Sequence, residues 1–255
     1  MIQIKNKVSI KKMEEAGSRL AGMFHELKEV VVEGKTTLSI NDWIEKKLKL
    51  LGLSSEMKGY MGYRYVSCIS VNDIVVHGVP SSKVFLKIGD MLTIDVCASY
   101  KGYCADMARN FFVGGDKSIS AERKKLSAVA QLSLDAAIEQ AFVGNRLTDI
   151  SAAVQRVVES HGFGVVRDYA GHGIGKNMHE DPEILNYGKP GRGPLLQVGM
   201  TFALEPMITQ GSYKTYVDGD GWTVKTVDKS DAAHVEDTVV ITEQGPKILT
   251  RSFGA

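Results

Sequence analysis

Two ten-residue stretches decide the architecture: Leu86-Lys-Ile-Gly89-Asp-Met-Leu-Thr-Ile-Asp95 and Leu196-Gln-Val-Gly199-Met-Thr-Phe-Ala-Leu-Glu205. Each runs from a leucine through a glycine three residues on to an acid, and the second lies 110 residues after the first. The same offset separates Gly34 from Gly144, Ile40 from Ile150 and Gly52 from Gly162. Matched glycines alone are weak evidence, because Gly is common. A constant offset that runs from helical stretches into a strand and ends on a carboxylate predicts two related α/β halves, with a site where they meet.

Working outward, Met13, Ala16, Leu20, Met23, Phe24, Leu27, Val30 and Val31 recur at three- and four-residue steps, the stripe of an amphipathic helix ended by Gly34. A second helix is expected over 40–50, closed by Gly52. Strand-like alternation follows near Val75 and over 91–98, and a polar turn leads to another strand around Phe111. The second half replays the order, with helices over 126–141 and 150–158 and strands over 201–204 and 235–241.

With 44% hydrophobic and 24% charged residues, a chain of 255 residues has ample material for one large domain or two small ones. Its formal net charge of +1 gives no reason to expect nucleic acid or an anionic membrane as partner. The basic runs Lys46-Lys47 and Arg123-Lys124-Lys125 fall in helical stretches and read as solvated faces. Three cysteines, Cys68, Cys97 and Cys104, without framework spacing suggest free thiols in a reducing compartment. The N-terminus lacks a signal-peptide pattern, and no run approaches the ~18 apolar residues of a membrane span. The expectation is a soluble cytoplasmic protein.

In Leu92-Thr93-Ile94-Asp95-Val96-Cys97-Ala98, the apolar side chains share one face and Asp95 lies on the other, between Thr93 and Cys97. A four-residue hairpin loop, Ser99-Tyr100-Lys101-Gly102, would set Asp95 directly opposite Asp106. Facing carboxylates repel unless a positive charge lies between them. For this pair alone, a solvated face explains the residues equally well. Glu205 stands where the repeat places the counterpart of Asp95, and Glu236 opens a strand much as Asp106 precedes Phe111. Four converging carboxylates need cations, and an oxygen-rich set with one imidazole suits a pair of divalent transition metals. The imidazole is assigned to His172, in Tyr169-Ala-Gly171-His-Gly173-Ile-Gly175, where glycines let the backbone pass close to its neighbours. His77 and His179 stand beside turn residues, where a side chain can be held at a cleft rim. His25 and His161 read as structural or surface residues.

At these residues the sequence resembles the type I methionine aminopeptidases. The strings that carry the resemblance are Cys68-Ile-Ser-Val-Asn-Asp-Ile-Val-Val-His77-Gly-Val-Pro80, Ile94-Asp-Val96, Asp106-Met-Ala-Arg109, Gly171-His-Gly-Ile-Gly175, His179-Glu-Asp-Pro182, Leu204-Glu-Pro206 and Val235-Glu-Asp-Thr238. They follow the family order over nearly the whole chain. The resemblance implies an α+β pita-bread fold: two pseudo-symmetric α/β halves, a curved antiparallel sheet and a dinuclear metal site between them. It implies one catalytic domain over 1–255, repeated internally at about 13–115 and 123–245. Asp95, Asp106, His172, Glu205 and Glu236 match the family's ligands for two divalent ions (Co, Mn, Fe, Zn or Ni), Asp106 and Glu236 bridging. His77 and His179 match its catalytic histidines, and Glu205 its proton carrier as a metal-bound hydroxide attacks the scissile carbonyl. Met57, Tyr60, Tyr63, Cys68, Met178 and Trp222 match the methionine pocket, beside which only a small second residue fits. Met57 and Met178 occupy positions that vary in the family, and Cys97 stands where a hydroxyl is common.

The implied function is removal of the initiator methionine from nascent polypeptides by a cytoplasmic monomer, near the ribosomal exit tunnel. The 31 residues from Glu205 to Glu236 leave no room for the helical insertion of type II members. No Cys/His-rich extension precedes the catalytic unit either, which leaves the short bacterial or organellar form, and the lack of a transit-peptide pattern favours the bacterial one. Prolidases and aminopeptidases P, the nearest enzymatic alternative, usually carry a sizeable additional N-terminal domain. A binding module that has kept the fold and lost catalysis would typically lack metal ligands, and all five are present.

Overall fold

The computed structural model describes residues 1–251. Helices α1 (Lys7–Glu26) and α2 (Thr37–Leu50) open the chain. Strands β1 (Ser54–Ser55), β2 (Cys68–Val71), β3 (Ile74–Val76), β4 (Met91–Tyr100) and β5 (Tyr103–Phe112) follow. Helices α3 (Ala121–Glu139) and α4 (Leu147–Ser160) then lead to β6 (Gly164–Val165), β7 (Gly171–Gly173), β8 (Glu180–Ile184), β9 (Thr201–Leu204) and β10 (Met207–Thr209). The chain ends in β11 (Thr215–Val217), β12 (Val224–Thr226), β13 (Ala232–His234), β14 (Glu236–Thr242) and β15 (Gly245–Ile248).

The helices begin where capping chemistry allows. Asn6 accepts from Ser9 N at 2.9 Å to start α1, and Thr36 accepts from Ser39 N at 3.1 Å to start α2. The predicted first helix is one element only as far as Glu26, tightening into a 3-10 turn over Leu27–Glu29 before Gly34. Each half is closed internally by a matching backbone bond. Gly34 N donates to Leu86 O at 2.9 Å, and Gly144 N to Leu196 O at 3.3 Å. Isolated bridges Thr36↔Phe85 and Arg146↔Leu195 repeat the same spacing.

The large sheet has the order β1-β4-β5-β14-β9-β7-β8, with β15 added to β14 and β2 to β4. Its central pairings are antiparallel: β4 on β5, β5 on β14, β14 on β9 and β9 on β7. Side chains alternate between the two faces. On one face Leu92, Ile94, Val96, Ala98, Ala105 and Met107 pack against α1 and α2, while Phe202, Leu204, Val239 and Ile241 pack against α3 and α4. Burying each large apolar side chain is worth about 1.5–3 kcal/mol, so this covering anchors the register of every strand. The polar functional residues are left to the opposite face.

One expected detail differs. The β4–β5 hairpin turns on two residues, Lys101 (φ 50°) and Gly102 (φ 73°), not on a four-residue loop. Two successive left-handed residues suit the twist of the flanking strands, so Tyr100 pairs with Tyr103 and the ladder extends to the turn. Asp95 therefore pairs with Ala108, and Asp106 with Cys97. The shift is two residues, so both carboxylates keep the same face and meet diagonally.

The 110-residue offset does not survive to the last acid, since Asp106 and Glu236 lie 130 apart. Where the first half turns tightly at Lys101-Gly102, the second carries the β11–β12 hairpin. Pairing of β12 with β3 brings this insertion, and Trp222 at its turn, toward His77. No helix among the described residues is long and apolar enough to cross a membrane.

Candidate active site

Parity along the strands brings the acids together. Cys68 pairs with Asp95, Asp95 with Ala108, Ala108 with Glu236, Thr238 with Ala203 and Ala203 with His172. Directly paired residues share a face, so Asp95, Asp106, Glu236 and His172 all rise from the one opposite the helices. Glu205 follows β9 by one residue and joins them. These five residues, with His77, His179, Met57, Tyr60, Tyr63, Cys68, Met178 and Trp222, line a single cavity of about 310 Å³. No site residue expected from the sequence lies elsewhere.

His172 is seated by close backbone approach. A Cβ on Gly171 would strike Ala203 O, and one on Gly173 would strike Asp181 O. The ring Nδ1 lies 2.9 Å from Gly173 O, a carbonyl that can only accept, so Nδ1 carries the proton. Nε2 is left with its lone pair toward the cavity, 3.5 Å from Glu205 Oε1. Asp106 is held by Thr238, whose hydroxyl accepts from Asp106 N and donates to Asp106 O, both at 2.8 Å. Behind Glu236, Arg109 donates to Glu236 O and pairs with the fully buried Asp237, each at 2.5 Å.

Crowding of the acids sets their electrostatics. Burial pushes Asp106 up to about 7, with Glu205 adding to the shift. Burial, reinforced by neighbouring carboxylates, pushes Asp95 and Glu236 well above the usual carboxylate range, and burial does the same to Glu205. Burial lowers His172 to about 3 and His77 to about 4, so both rings are neutral at physiological pH. The thiols of Cys68 and Cys97 are pushed up by burial and stay protonated, which removes them as thiolate ligands.

The donor set fits divalent cations. One ligand atom each from Asp106, His172 and Glu236 lies within 4.8 Å of the others. Asp106 Oδ1 and Glu236 Oε1 are buried with no hydrogen-bond partner among the described residues, an arrangement disfavoured unless a cation satisfies them.

Around this cluster, His77 occupies a left-handed conformation (φ 57°) between β3 and Gly78, with its ring 5.5 Å from that of Tyr169. A Cβ on Gly78 would collide with Ile69 O. His179 stands on the rim, its Nδ1 3.0 Å from the Tyr60 hydroxyl and its ring centroid 4.3 Å from that of His172. Tyr63 donates to Ser67 O at 2.9 Å and packs edge-on against Trp222, with ring centroids 5.0 Å apart. Met57 accepts at sulfur from Cys97 N at 3.4 Å, which fixes one pocket wall. The loop bearing Met178 and His179 is tied from below. Lys5, itself bonded through its N–H to Gly199 O, reaches Glu180 at 2.5 Å, and Glu180 accepts from Lys176 N and Asn177 N.

The cavity also takes in residues that sequence reasoning missed, chiefly His234, Tyr169 and Met207. His234 was legible in one respect, since it stands two residues before Glu236 and parity assigns it the same face. No motif surrounded it, unlike the glycines around His172.

The family model described as metallopeptidase family M24 matches residues 11–243. A methionine aminopeptidase of Clostridium acetobutylicum is 46% identical over 250 residues, covering 98% of this chain and 99% of the relative. A second, from Bacillus subtilis, is 44% identical over 239 residues, covering 94% and 95%. The crystal structure of methionine aminopeptidase from Thermotoga maritima superposes with a TM-score of 0.96 at 44% identity, covering 99% of this chain and all of that one.

Proposed function

The chain belongs to metallopeptidase family M24, among the methionine aminopeptidases that remove N-terminal methionine with divalent metal ions, and from that premise we propose how its own residues divide the work. Asp95, Asp106, His172, Glu205 and Glu236 would hold a pair of divalent ions drawn from Co, Mn, Fe, Zn or Ni, with Asp106 and Glu236 the two carboxylates that would serve both. The observation that carries this reading is the convergence of five ligand-type side chains on one sheet face, two of them with buried, unpartnered carboxylate oxygens. Bound there, the ions supply acidified water and a polarised scissile carbonyl.

Glu205 takes the proton from the attacking water and passes it to the leaving amine. His179 donates from Nε2 to the developing oxyanion, with Nδ1 accepting from Tyr60. His77 contacts the scissile amide. Met57, Tyr60, Tyr63, Cys68, Met178 and Trp222 seat the methionine side chain. Their apolar walls exclude charged side chains, which would have to shed water, while flexible thioethers tolerate an unbranched chain. The space beside His77 favours a small second residue.

We further assign residues 1–255 to one catalytic domain, acting as a monomer, because one chain suffices to supply every ligand and pocket side chain of the cleft. Buried free thiols favour a cytoplasmic setting, where N-termini of nascent chains emerge near the ribosomal exit tunnel.

The test is to strip the protein of metal and assay Met-Ala-Ser, Met-Phe-Ser and Lys-Ala-Ser before and after adding single metals. Turnover of Met-Ala-Ser alone, and only after metal addition, is expected. Cleavage of Lys-Ala-Ser would mean a broader aminopeptidase, and cleavage of Gly-Pro with Met-Ala-Ser intact would select a prolidase. A fully active Asp106→Ala enzyme would sink the two-ion site.

A further inference from the structure

His234 is the one imidazole of the cleft that the proposed chemistry leaves without a task. It ends β13, where its backbone pairs with Met207, and its N–H donates to Thr93 Oγ1 at 3.4 Å. The ring is 2% exposed, so it is held by packing as well as by the ladder. Its Nε2 is buried without a hydrogen-bond partner among the described residues and points at Glu205, 3.5 Å from Oε2. The other oxygen, Oε1, lies 3.5 Å from His172 Nε2. The Glu205 carboxylate thus sits between two imidazoles, one per oxygen.

The two rings cannot play the same part. His172 spends its Nδ1 proton on Gly173 O and turns a lone pair to the cavity, so it offers Glu205 no hydrogen. His234 is then the imidazole free to present an N–H to this carboxylate. A buried N–H aimed at a carboxylate oxygen fixes the side chain's orientation, which is how supporting residues tune a centre without entering it.

We propose that His234 is a positioning residue of this centre, its Nε2–H holding Glu205 Oε2 so that Oε1 stays turned toward His172 and the reacting water. The proposal rests on the assignment of Glu205 as ligand and proton carrier. His234 touches neither substrate nor reacting atoms and acts through Glu205.

Side-chain geometry supplies the test. A glutamine amide reaches about where the imidazole Nε2 lies, whereas an asparagine amide reaches only the Nδ1 position. His234→Gln, His234→Asn and His234→Ala are therefore compared for kcat and KM on Met-Ala-Ser, and by calorimetric titration of Mn(II) into the metal-free proteins. His234→Gln is expected to keep kcat within about threefold. His234→Asn and His234→Ala should lose roughly 10–100-fold in kcat, with KM within about twofold and weaker Mn(II) binding. Equal behaviour of Gln and Asn would overturn the proposal, as would an Ala variant within twofold of the parent. A Gln variant as impaired as Ala, with Mn(II) affinity collapsed, would make His234 a metal ligand and also overturn it. If His234→Ala does not fold, the Gln–Asn contrast still decides. Glu205→Gln, measured alongside, separates the two claims. A fully active Glu205→Gln refutes the Glu205 assignment, and an inactive one beside an active His234→Ala refutes this proposal alone.

Discussion

The phenol of Tyr60 lies 3.0 Å from His179 Nδ1, within reach to donate its proton there. With the hydroxyl donating, Nδ1 is an acceptor and Nε2 carries the proton, the form needed to stabilise an oxyanion. His179→Ala should therefore lower kcat by about 10²–10³-fold while metal content and KM stay near those of the parent. Tyr60→Phe frees Nδ1 to take the proton instead and should lose roughly tenfold, between the parent and His179→Ala. Steady-state kinetics on Met-Ala-Ser with metal analysis of each variant checks both. Loss of metal from His179→Ala would show a ligand in place of a donor. At this scale much was legible. Acids on the wrong face of an apolar strand, and a histidine among glycines, are anomalies that alternation alone exposes. His234 was not, because a lone histidine carries no such anomaly and its meaning lies in a distance to Glu205 that folding creates.

Elements convert these side chains into a site, and their register was readable in direction but not in detail. The apolar parity of β4 assigned Asp95 to the correct face, yet the hairpin length was misread, because Lys101 adopts a left-handed φ that sequence gives little reason to expect of lysine. The misreading did no harm to the site, since a two-residue slip preserves the face. Less legible still was the tie between the N-terminal segment and the loop of Met178 and His179. Lys5 and Glu180, 175 residues apart, form an ion pair with side-chain exposures of only 6% and 3%. Lys5→Met would leave the Glu180 charge buried without its cation, a change worth about 3–5 kcal/mol. The melting temperature should drop by roughly 6–20 °C in a protein of this size. Hydrogen exchange should rise at residues 176–180, and Lys5→Met/Glu180→Gln should recover part of the loss. A single variant that melts within a degree of the parent would show that water or backbone donors already satisfy Glu180.

For the whole molecule, the pseudo-symmetry has an electrostatic consequence. Two halves each deliver a pair of acids to their junction, so the fold concentrates four carboxylates where neither half alone would. The repeat made this legible, because Asp95 and Glu205 stand at equivalent positions. What the repeat could not show is how burial alters those acids. Without metal, Asp106 is raised to about 7, and Asp95, Glu205 and Glu236 are pushed well above their usual range. An unfolded chain has released these protons by about pH 5, so above that the folded, metal-free protein binds more protons than the unfolded one. Stability contributed by such groups is present below the unfolded pKa and is lost as pH rises through the folded pKa. The imidazoles act oppositely: His77 is lowered to about 4 and His172 to about 3, so they cost stability only as pH falls below their unfolded value. At about pH 6.5 the residual slope of the half-protonated unfolded imidazoles, those of His179 and His234 included, is opposite to and smaller than that of the four carboxylates. By about pH 7.5 it is flat and the carboxylate slope stands alone, at most about 1.4 kcal/mol per pH unit for each proton. Divalent ions take the place of those protons, so the loaded protein should lack the slope. The melting temperature of the stripped protein should therefore fall from pH 6.5 to 8 while that of the Mn(II)-loaded protein holds, the gap widening with pH. Groups remote from the cleft titrate alike in both forms and cancel in the difference. Calorimetry of Mn(II) binding in buffers of different ionisation enthalpy should also register proton release, greater at pH 6.5 than at 8. Parallel melting curves with no proton release would mean that the four acids are already ionised and balanced by something other than metal.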